Sequence, residues 1–242
     1  MIPIIRQAIL IIAFLFFIVS TVNSVTKNIT VNTDALNEEK EKILGSIPEA
    51  KLTFYAQENE GNLVNFRMSV NGQTKYFPYW RNVSNETYAP QFLYNDINGD
   101  GKKELIVILT QGYGTGVLEQ NVHVLHQTRT NAGEAYREII VDDPRTILLK
   151  NVRTNLTKSE AIITILNRKK TYNIEKIVTG PEGLFSNIVT DNLISYEVVE
   201  NHLIAKMGAQ IGPGILIGSF YITYEYKDGF YQMESIEFRW GE

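Results

Sequence analysis

The stretch Asp96-Ile97-Asn98-Gly99-Asp100-Gly101-Lys102-Lys103-Glu104, followed by the aliphatic run Leu105 to Leu109, organises this chain. Oxygen-bearing side chains recur at positions 96, 98 and 100. Gly101 comes sixth, where a sharp turn needs a residue without Cβ. The aliphatic run is typical of a buried strand, because β-branched residues pack well on a pleated surface. The sequence therefore predicts an oxygen-rich turn that enters a core strand.

This alternation of oxygens is typical of a calcium loop. Calcium takes roughly six to eight oxygen ligands, and a short loop supplies them when acidic or amide side chains alternate around a sharp turn. Asp96, Asn98 and Asp100 provide that alternation. Lys102 can offer its carbonyl oxygen, and Glu104 is close enough to add a third carboxylate. Without a metal we expect the three carboxylates to repel one another.

Two alternatives to a short calcium loop share part of this pattern. An EF-hand needs a bidentate Glu at its twelfth position and a helix on each side, but Val107 stands there, inside the predicted strand. A metal-free turn is the second alternative, since Asn-Gly and Asp-Gly form turns without any ion. Turn formation alone, however, requires neither Glu104 nor the alternating oxygens, so the pattern favours metal binding.

The loop resembles the calcium loops of FG-GAP and VCBS-type repeats, in which an Asp-x-Asn/Asp-x-Asp-Gly turn closed by an acidic residue leads into a strand. The resemblance covers about fifteen residues. It implies a calcium ligand set, which is Asp96, Asn98, Asp100, Glu104 and the Lys102 carbonyl. The propellers of those families repeat the loop once per blade, whereas this chain carries it once, so we do not expect a propeller.

Length and composition limit the class of protein. The 242 residues are enough for one substantial domain or two small ones, and 44% apolar residues are ordinary for a packed core. A net charge of −4 without a basic face argues against nucleic-acid binding. The absence of cysteine excludes disulfides and thiolate sites.

The first 24 residues have the layout of a secretory signal peptide. Arg6 precedes the apolar run Ala8 to Val19, which is followed by small and polar residues up to Ser24. An uncleaved signal anchor is the alternative, although the run is short of the roughly 20 residues that span a bilayer. We therefore expect a secreted or cell-envelope protein that contacts the membrane only where its N-terminal segment remains uncleaved. Weak calcium sites are filled in that environment.

The rest of the chain predicts a mainly β fold. Residues 25–48 are interpreted as a linker and a peripheral helix over 35–44, and residues 49–242 as a β domain that could divide into two halves near 143–150, where one helical turn is expected. Alternating apolar residues flank Asn71-Gly72, which predicts a type I′ hairpin. Hairpins are also predicted across Glu200-Asn201 and Lys227-Asp228-Gly229. We expect an antiparallel sandwich or a partly closed barrel.

Two further features are candidate binding sites. The segment Gly112 to Gly116 is glycine-rich, but Val117 replaces the third glycine of a dinucleotide loop and a strand follows, so a wide loop with Tyr113 exposed to a ligand is expected instead. The aromatic cluster around Trp80 suggests glycan stacking, with Trp80 as a ligand-binding residue, while core packing is the favoured alternative. His123 and His126 are three apart on a predicted strand and should face opposite sides.

The combined expectation is a calcium-binding protein with a non-catalytic binding or structural role towards a protein, cell-wall or glycan partner. The alternative is an extracellular hydrolase or glycan-binding module, with an acidic cleft near the loop that holds two carboxylates of perturbed pKa. No nucleophile motif is present. The stretch from Tyr79 to His126 also resembles uncharacterised secreted proteins of spore-forming Gram-positive bacteria, which implies an envelope location and no activity.

Overall fold

The computed structural model describes residues 41–130, 133–178 and 183–241. The strands in these ranges are β1 (Lys42–Ile47), β2 (Leu52–Asn59), β3 (Asn62–Val70), β4 (Gln73–Phe77), β5 (Asn82–Val83), β6 (Gln91–Asn95), β7 (Glu104–Gly114), β8 (Val117–Thr130), β9 (Gly133–Ile139), β10 (Val152–Leu156), β11 (Glu160–Ile165), β12 (Arg168–Asn173), β13 (Leu193–Val199), β14 (His202–Gly212), β15 (Ile215–Lys227) and β16 (Phe230–Trp240). Helix α1 spans Pro144–Asn151, and 3₁₀ turns span Pro48–Ala50 and Glu86–Tyr88.

The strands form three sheets, as the mainly β prediction requires. A five-stranded sheet has the order β1-β2-β3-β4 with β5 beside β3, a three-stranded sheet has the order β10-β11-β12, and an eight-stranded sheet has the order β16-β15-β14-β13-β8-β7-β6 with β9 beside β8. Neighbouring strands are antiparallel except for a short parallel contact between β13 and β8. The described strands close no barrel, and the arrangement is consistent with a sandwich.

Strand β7 is buried on both faces and joins two hydrophobic cores. Leu105, Val107 and Leu109 pack into the core beneath the five-stranded sheet. Ile106 and Ile108 point the other way, into the core built by the eight-stranded sheet, the three-stranded sheet and α1. This alternation is the period-two geometry of a strand. It explains why the sequence from 105 to 109 is continuously aliphatic.

The turns in the structure confirm those that the sequence predicts. Asn71 and Gly72 both have positive φ, 47° and 79°, as a type I′ turn between β3 and β4 requires. The predicted hairpins across Glu200-Asn201 and Asp228-Gly229 are present as β13–β14 and β15–β16. The helical turn expected near residue 145 is α1, which Asp143 caps by accepting a hydrogen bond from Thr146 N at 2.8 Å.

Two expectations need correction. The predicted N-terminal helix is wrong at its end, because Lys42 to Leu44 belong to β1 and pair with β2. The segment Gly112 to Gly116 is not a wide loop: β7 and β8 continue to the pair Gly114 and Val117, leaving a two-residue turn. The signal peptide, the linker and the start of the predicted helix lie outside the described residues. Within the described ranges, the only α-helix is far too short to cross a bilayer.

Candidate metal-binding loop

The candidate loop is the connection of the β6–β7 hairpin. Asn95 in β6 pairs with Glu104 in β7, so the chain leaves and re-enters the eight-stranded sheet at neighbouring positions. Gly99 and Gly101 have φ values of 75° and 82°, which side-chain-bearing residues rarely adopt. The loop is therefore a tight turn mounted on a strand that is buried on both faces.

Asp96 organises the backbone of this turn. Its Oδ1 accepts a hydrogen bond from Gly99 N at 2.8 Å, and its Oδ2 accepts one from Gly101 N at 2.9 Å. Both carboxylate oxygens thus hold backbone amides of the turn close to Asp96. Each oxygen has a further lone pair beyond the one that the amide uses.

The next two oxygen-bearing residues repeat this arrangement over shorter distances. Asn98 Oδ1 accepts a hydrogen bond from Asp100 N at 2.8 Å, and Asp100 Oδ1 accepts one from Lys102 N at 2.8 Å. These are the local side-chain-to-backbone bonds that Asx residues make in turns. The alternation in the sequence is thereby converted into a row of side-chain oxygens along the turn.

Glu104, at the end of the loop, hydrogen-bonds to residues near its start. Its side chain is buried, with the residue only 2% exposed. Oε2 accepts a hydrogen bond from Ile97 N at 2.9 Å, and Oε1 accepts one from Asn98 Nδ2 at 3.1 Å. The acidic residue at the end of the sequence pattern therefore ties the far side of the turn to the first residue of β7.

The loop carries negative charge that its neighbours leave uncompensated. The pKa of Glu104 is raised to about 7, mainly by burial and with a smaller contribution from the charges of Asp100 and Asp96, which together outweigh the hydrogen bonds that lower it. Across the part of the chain that the structure describes, none of the three carboxylates forms an ion pair. The nearby Lys103 ammonium instead lies 2.6 Å from Glu49 Oε1.

The donor set suits a hard cation, but the acidic side chains do not lie close enough together to hold one. Carboxylate, amide and carbonyl oxygens are the ligands that calcium prefers, and Asp96, Asn98 and Asp100 retain oxygen lone pairs beyond those that the loop amides use. In the described ranges, however, no three Asp, Glu or His side chains are placed to hold a metal ion. A cation would therefore have to draw Asp96, Asp100 and Glu104 inward from these positions.

A polar cavity of about 360 Å³ lies beside the loop. Asp96 to Gly99 form one wall, and His202, Tyr224 and Glu225 contribute to the other. Glu104 does not line it, because its oxygens face the loop backbone. The carboxylate with the raised pKa is thus separated from the space that a small molecule could enter.

The two predicted ligand-binding aromatics have different environments. Trp80 is only 4% exposed and stacks on Phe77 at 3.8 Å between ring centroids, so the role proposed for it as a ligand contact is not supported, and core packing accounts for it. Tyr113 is 45% exposed, but its ring stacks on Tyr88 at 4.3 Å and its hydroxyl accepts a hydrogen bond from Asn85 Nδ2 at 3.0 Å. Tyr113 is therefore held rigidly at the end of the β7–β8 hairpin.

The histidines face opposite sides of β8, as their spacing predicts. The His123 ring lies 4.5 Å from Trp80, on the side of the smaller core. His126 Nε2 lies 3.0 Å from the Tyr231 hydroxyl, on the side of the larger core. Burial lowers the pKa of His126. The two imidazoles cannot share a metal ion.

Asn82 is a structural residue that the sequence did not reveal. Its side chain is fully buried, its Oδ1 accepts a hydrogen bond from Thr110 N at 2.6 Å, and its Nδ2 donates to Tyr88 O at 2.8 Å. The register of β7 against β8 shifts just after Thr110, and the Asn82 amide satisfies the backbone there. The sequence marks Asn82 only as the start of an Asn-x-Ser motif, a signal for surface exposure that is misleading here.

Comparison with known proteins assigns the chain to no group. No protein-family model, no curated protein and no solved structure matches it. Function is therefore argued from the loop and its surroundings.

Proposed function

We propose that this chain is a calcium-binding β protein of the cell exterior or envelope, in which calcium has a structural role. The ion would be held by Asp96, Asn98, Asp100, Glu104 and the Lys102 carbonyl. Its binding would fix the β6–β7 turn. The protein would then present a rigid surface to a protein, cell-wall or glycan partner without catalysing a reaction.

The observation that carries this proposal is the buried carboxylate of Glu104 beneath a loop with two more carboxylates. A buried carboxylate is costly unless a cation, a proton or sufficient hydrogen bonds compensate its charge. Glu104 has two hydrogen bonds and no cationic partner among the described side chains. A divalent ion held by Asp96, Asp100 and Glu104 would neutralise most of the three charges.

The sequence outside the described residues supports the location. Arg6 and the apolar run Ala8 to Val19 are typical of an export signal. Extracellular calcium modules bind with dissociation constants of about 10⁻⁴ to 10⁻³ M. At a tenfold excess of calcium over the dissociation constant, binding would add about 1.4 kcal/mol to the free energy of unfolding.

The hydrolase alternative has weaker support. It expects two carboxylates with perturbed pKa values in one acidic cleft beside the loop. A polar cavity is present there, but Glu104, whose pKa is raised, does not line it. The geometry therefore favours a role for Glu104 in holding the loop over a role in proton transfer to a substrate.

Calorimetric titration and thermal melting of the full-length protein test the proposal. We expect calcium to bind with one-site stoichiometry and, at tenfold excess over the dissociation constant, to raise the melting temperature by about 3 to 6 °C relative to chelator. Magnesium should bind more weakly, because it dehydrates reluctantly and demands stricter octahedral geometry. No binding heat together with an unchanged melting temperature would refute the proposal.

Two Asp-Gly turns provide matched variants for this titration. Asp100→Asn keeps an oxygen that can accept from Lys102 N but removes one ligand charge, so we expect calcium affinity to fall about tenfold. Asp228→Asn makes the same change at the exposed Asp228-Gly229 turn of the β15–β16 hairpin. This control should leave calcium affinity unchanged, and equal losses in both variants would contradict the assigned site.

A further inference from the structure

A groove of about 430 Å³ runs between the three-stranded sheet and strand β16. Ile163 and Tyr172 form part of its apolar surface on one side, and Ile236 and Phe238 on the other. Tyr172 and Phe238 touch edge to face, with ring centroids 5.5 Å apart. The groove has the volume of a typical ligand pocket, which is roughly 300 to 1,000 Å³.

The lining pattern distinguishes the two walls of the groove. Alternate residues of β12, namely Arg168, Lys170 and Tyr172, line one wall, so this wall is a face of the three-stranded sheet. Five consecutive residues of β16, 234–238, line the other. Consecutive residues can share a wall only where the edge of a strand borders it, because successive side chains alternate between faces. The groove therefore exposes the backbone edge of β16 beneath a covering sheet.

The start of this edge is already used by the chain itself. Tyr231 N donates to Ile140 O at 2.8 Å, and Tyr231 O accepts from Asp142 N at 2.9 Å. These two bonds form a parallel bridge between Tyr231 and Val141. The outer edge of β16 thus accepts an added strand segment at its first residues.

Farther along, the edge has backbone groups that face the groove. Gly241 N donates to Ile217 O at 3.0 Å, which marks residue 241 as pointing towards β15. Antiparallel residues alternate between pointing towards a partner strand and away from it. Counting back from 241, Ile236 and Phe238 turn their N–H and C=O groups away from β15. Within the described chain these groups have no backbone partner.

The groove has aromatic and charged residues along its walls. Tyr172, which lines the groove, stacks on Trp240 at 4.5 Å between ring centroids. Glu234, the extra residue of a bulge in β16, lines both the groove and the cavity beside the metal loop. Arg168 and Lys170 are exposed on the covering sheet, and neither forms an ion pair with any side chain that the structure describes, whereas Glu237 on the β16 wall pairs with Arg239.

We propose that this groove binds an extended peptide segment of another protein as an additional strand beside β16. The backbone groups of Ile236 and Phe238 would pair with the peptide, as in known strand addition at sheet edges. Alternate peptide side chains would point to the covering sheet, where an apolar side chain would contact the half-buried Ile165 and a carboxylate would meet Arg168 and Lys170. Binding at this groove does not require calcium, so its failure and the failure of the calcium site are separable.

A short synthetic peptide of the pattern Ile-Thr-Glu-Thr-Ile-Thr-Glu, which places isoleucine and glutamate on one face of an extended strand, is the probe, measured by fluorescence anisotropy against the full-length protein. We expect saturable binding, with a scrambled peptide of equal composition binding at least about tenfold more weakly. N-methylation of the amides on one edge of the peptide should abolish binding, while methylation on the opposite edge should leave it intact, because only one edge can pair with β16. Equal effects of both methylations would overturn the proposal.

Variants of neighbouring lysines test the charge requirement. Lys170→Glu should weaken binding about tenfold, whereas Lys169→Glu, on the other face of the same strand, should not change it. Amide hydrogen exchange at Ile236 and Phe238 should slow when the peptide is added. Unchanged exchange there would overturn the proposal, and so would peptide-free protein that sediments as a dimer with both amides already protected, because a second copy would then occupy the edge.

Discussion

Two carboxylates on neighbouring parts of the eight-stranded sheet have opposite electrostatic environments. Glu104, at the start of β7, is buried beneath a loop that contains Asp96 and Asp100, and its pKa is raised to about 7. Glu138, in β9, has a lowered pKa: burial raises it, but hydrogen bonding and charge from His123, with a smaller contribution from Trp80, outweigh that effect. His123 Nδ1 lies 2.6 Å from Glu138 Oε1.

The difference shows which of the two carboxylates has its negative charge compensated by another side chain. Pairing of β8 with β9 brings His123 beside Glu138 from the adjacent strand. The loop around Glu104 brings two further negative charges and backbone donors, and among the described side chains no cation pairs with Glu104, since the ammonium of Lys103 contacts Glu49 instead. Among the described residues the charge of Glu138 is compensated by His123, whereas Glu104 is compensated either by its own proton or, as proposed above, by a bound cation.

The largest expected effect is the pH dependence caused by Glu104 in chelator. The pKa of its carboxyl is 4.5 when unperturbed and about 7 in the folded protein. Between those values the unfolded chain releases a proton that the folded chain retains, so the free energy of unfolding falls as pH rises, by about 3 kcal/mol, and is level above pH 7. Urea denaturation at pH 4.5, 5.5, 6.5 and 7.5 measures this.

Glu104→Gln is the control for that series. The neutral amide can still accept from Ile97 N, so the fold should persist while this contribution to the pH dependence disappears. Calcium should also reduce the fall in the wild-type protein, because it stabilises the ionised carboxylate. If the wild type and Glu104→Gln share one pH profile in chelator, the pKa of Glu104 is not raised in the folded protein and the contrast with Glu138 is wrong.

His123→Gln tests the compensated carboxylate. It weakens the contact with Glu138 and the ring packing on Trp80, and we expect a loss of about 1 kcal/mol at pH 7. Because the pKa of Glu138 is lowered, the stability that it contributes is present above pH 4.5 and is lost on acidification, so His123→Gln should reduce that acid sensitivity. Urea denaturation with and without calcium measures both effects. A calcium response that changes in this variant would argue against independent sites.

Asp100→Asn should have a smaller effect, of opposite sign in chelator and in calcium. Without calcium, removing this charge relieves repulsion on Glu104 and should raise the free energy of unfolding at pH 7 by about 0.5 kcal/mol. With calcium, the lost ligand charge should make the variant less stable than the wild type. The measurement is chemical denaturation in both conditions, and a loss of stability in chelator would indicate that Asp100 acts mainly through its turn hydrogen bond.

Local chemistry made much of this fold predictable from sequence. Asn71-Gly72 and Asp228-Gly229 form turns because their backbone conformations suit two-residue hairpins. The aliphatic run from Leu105 is a strand buried on both faces, as its lack of alternation indicates. The oxygen-rich loop also lies where the pattern predicts, at the entry to that strand.

The features that the sequence did not reveal depend on distant partners. Trp80 is in the core because Phe77 and His123 pack against it, and nothing near it in the chain specifies those contacts. Asn82 is buried because its side-chain oxygen accepts a hydrogen bond from Thr110 N, 28 residues away in the chain. Glycine content around Gly112 suggested a wide loop, whereas continued pairing of β7 with β8 leaves only a short turn. Sequence periodicity carries no information about such pairings.

The smallest expected effect distinguishes a carbonyl ligand from a side-chain ligand. In the proposed site Lys102 contributes only its backbone oxygen, and its side chain is exposed. Lys102→Ala should therefore leave the calcium dissociation constant within about twofold of the wild type, with a slight weakening or strengthening below about 0.4 kcal/mol. Calorimetric titration in parallel with Asp100→Asn gives the comparison. If Lys102→Ala weakened calcium binding as much as Asp100→Asn does, the loop would have to bind through a different set of oxygens, and the contrast between Glu104 and Glu138 would lose its explanation in terms of calcium.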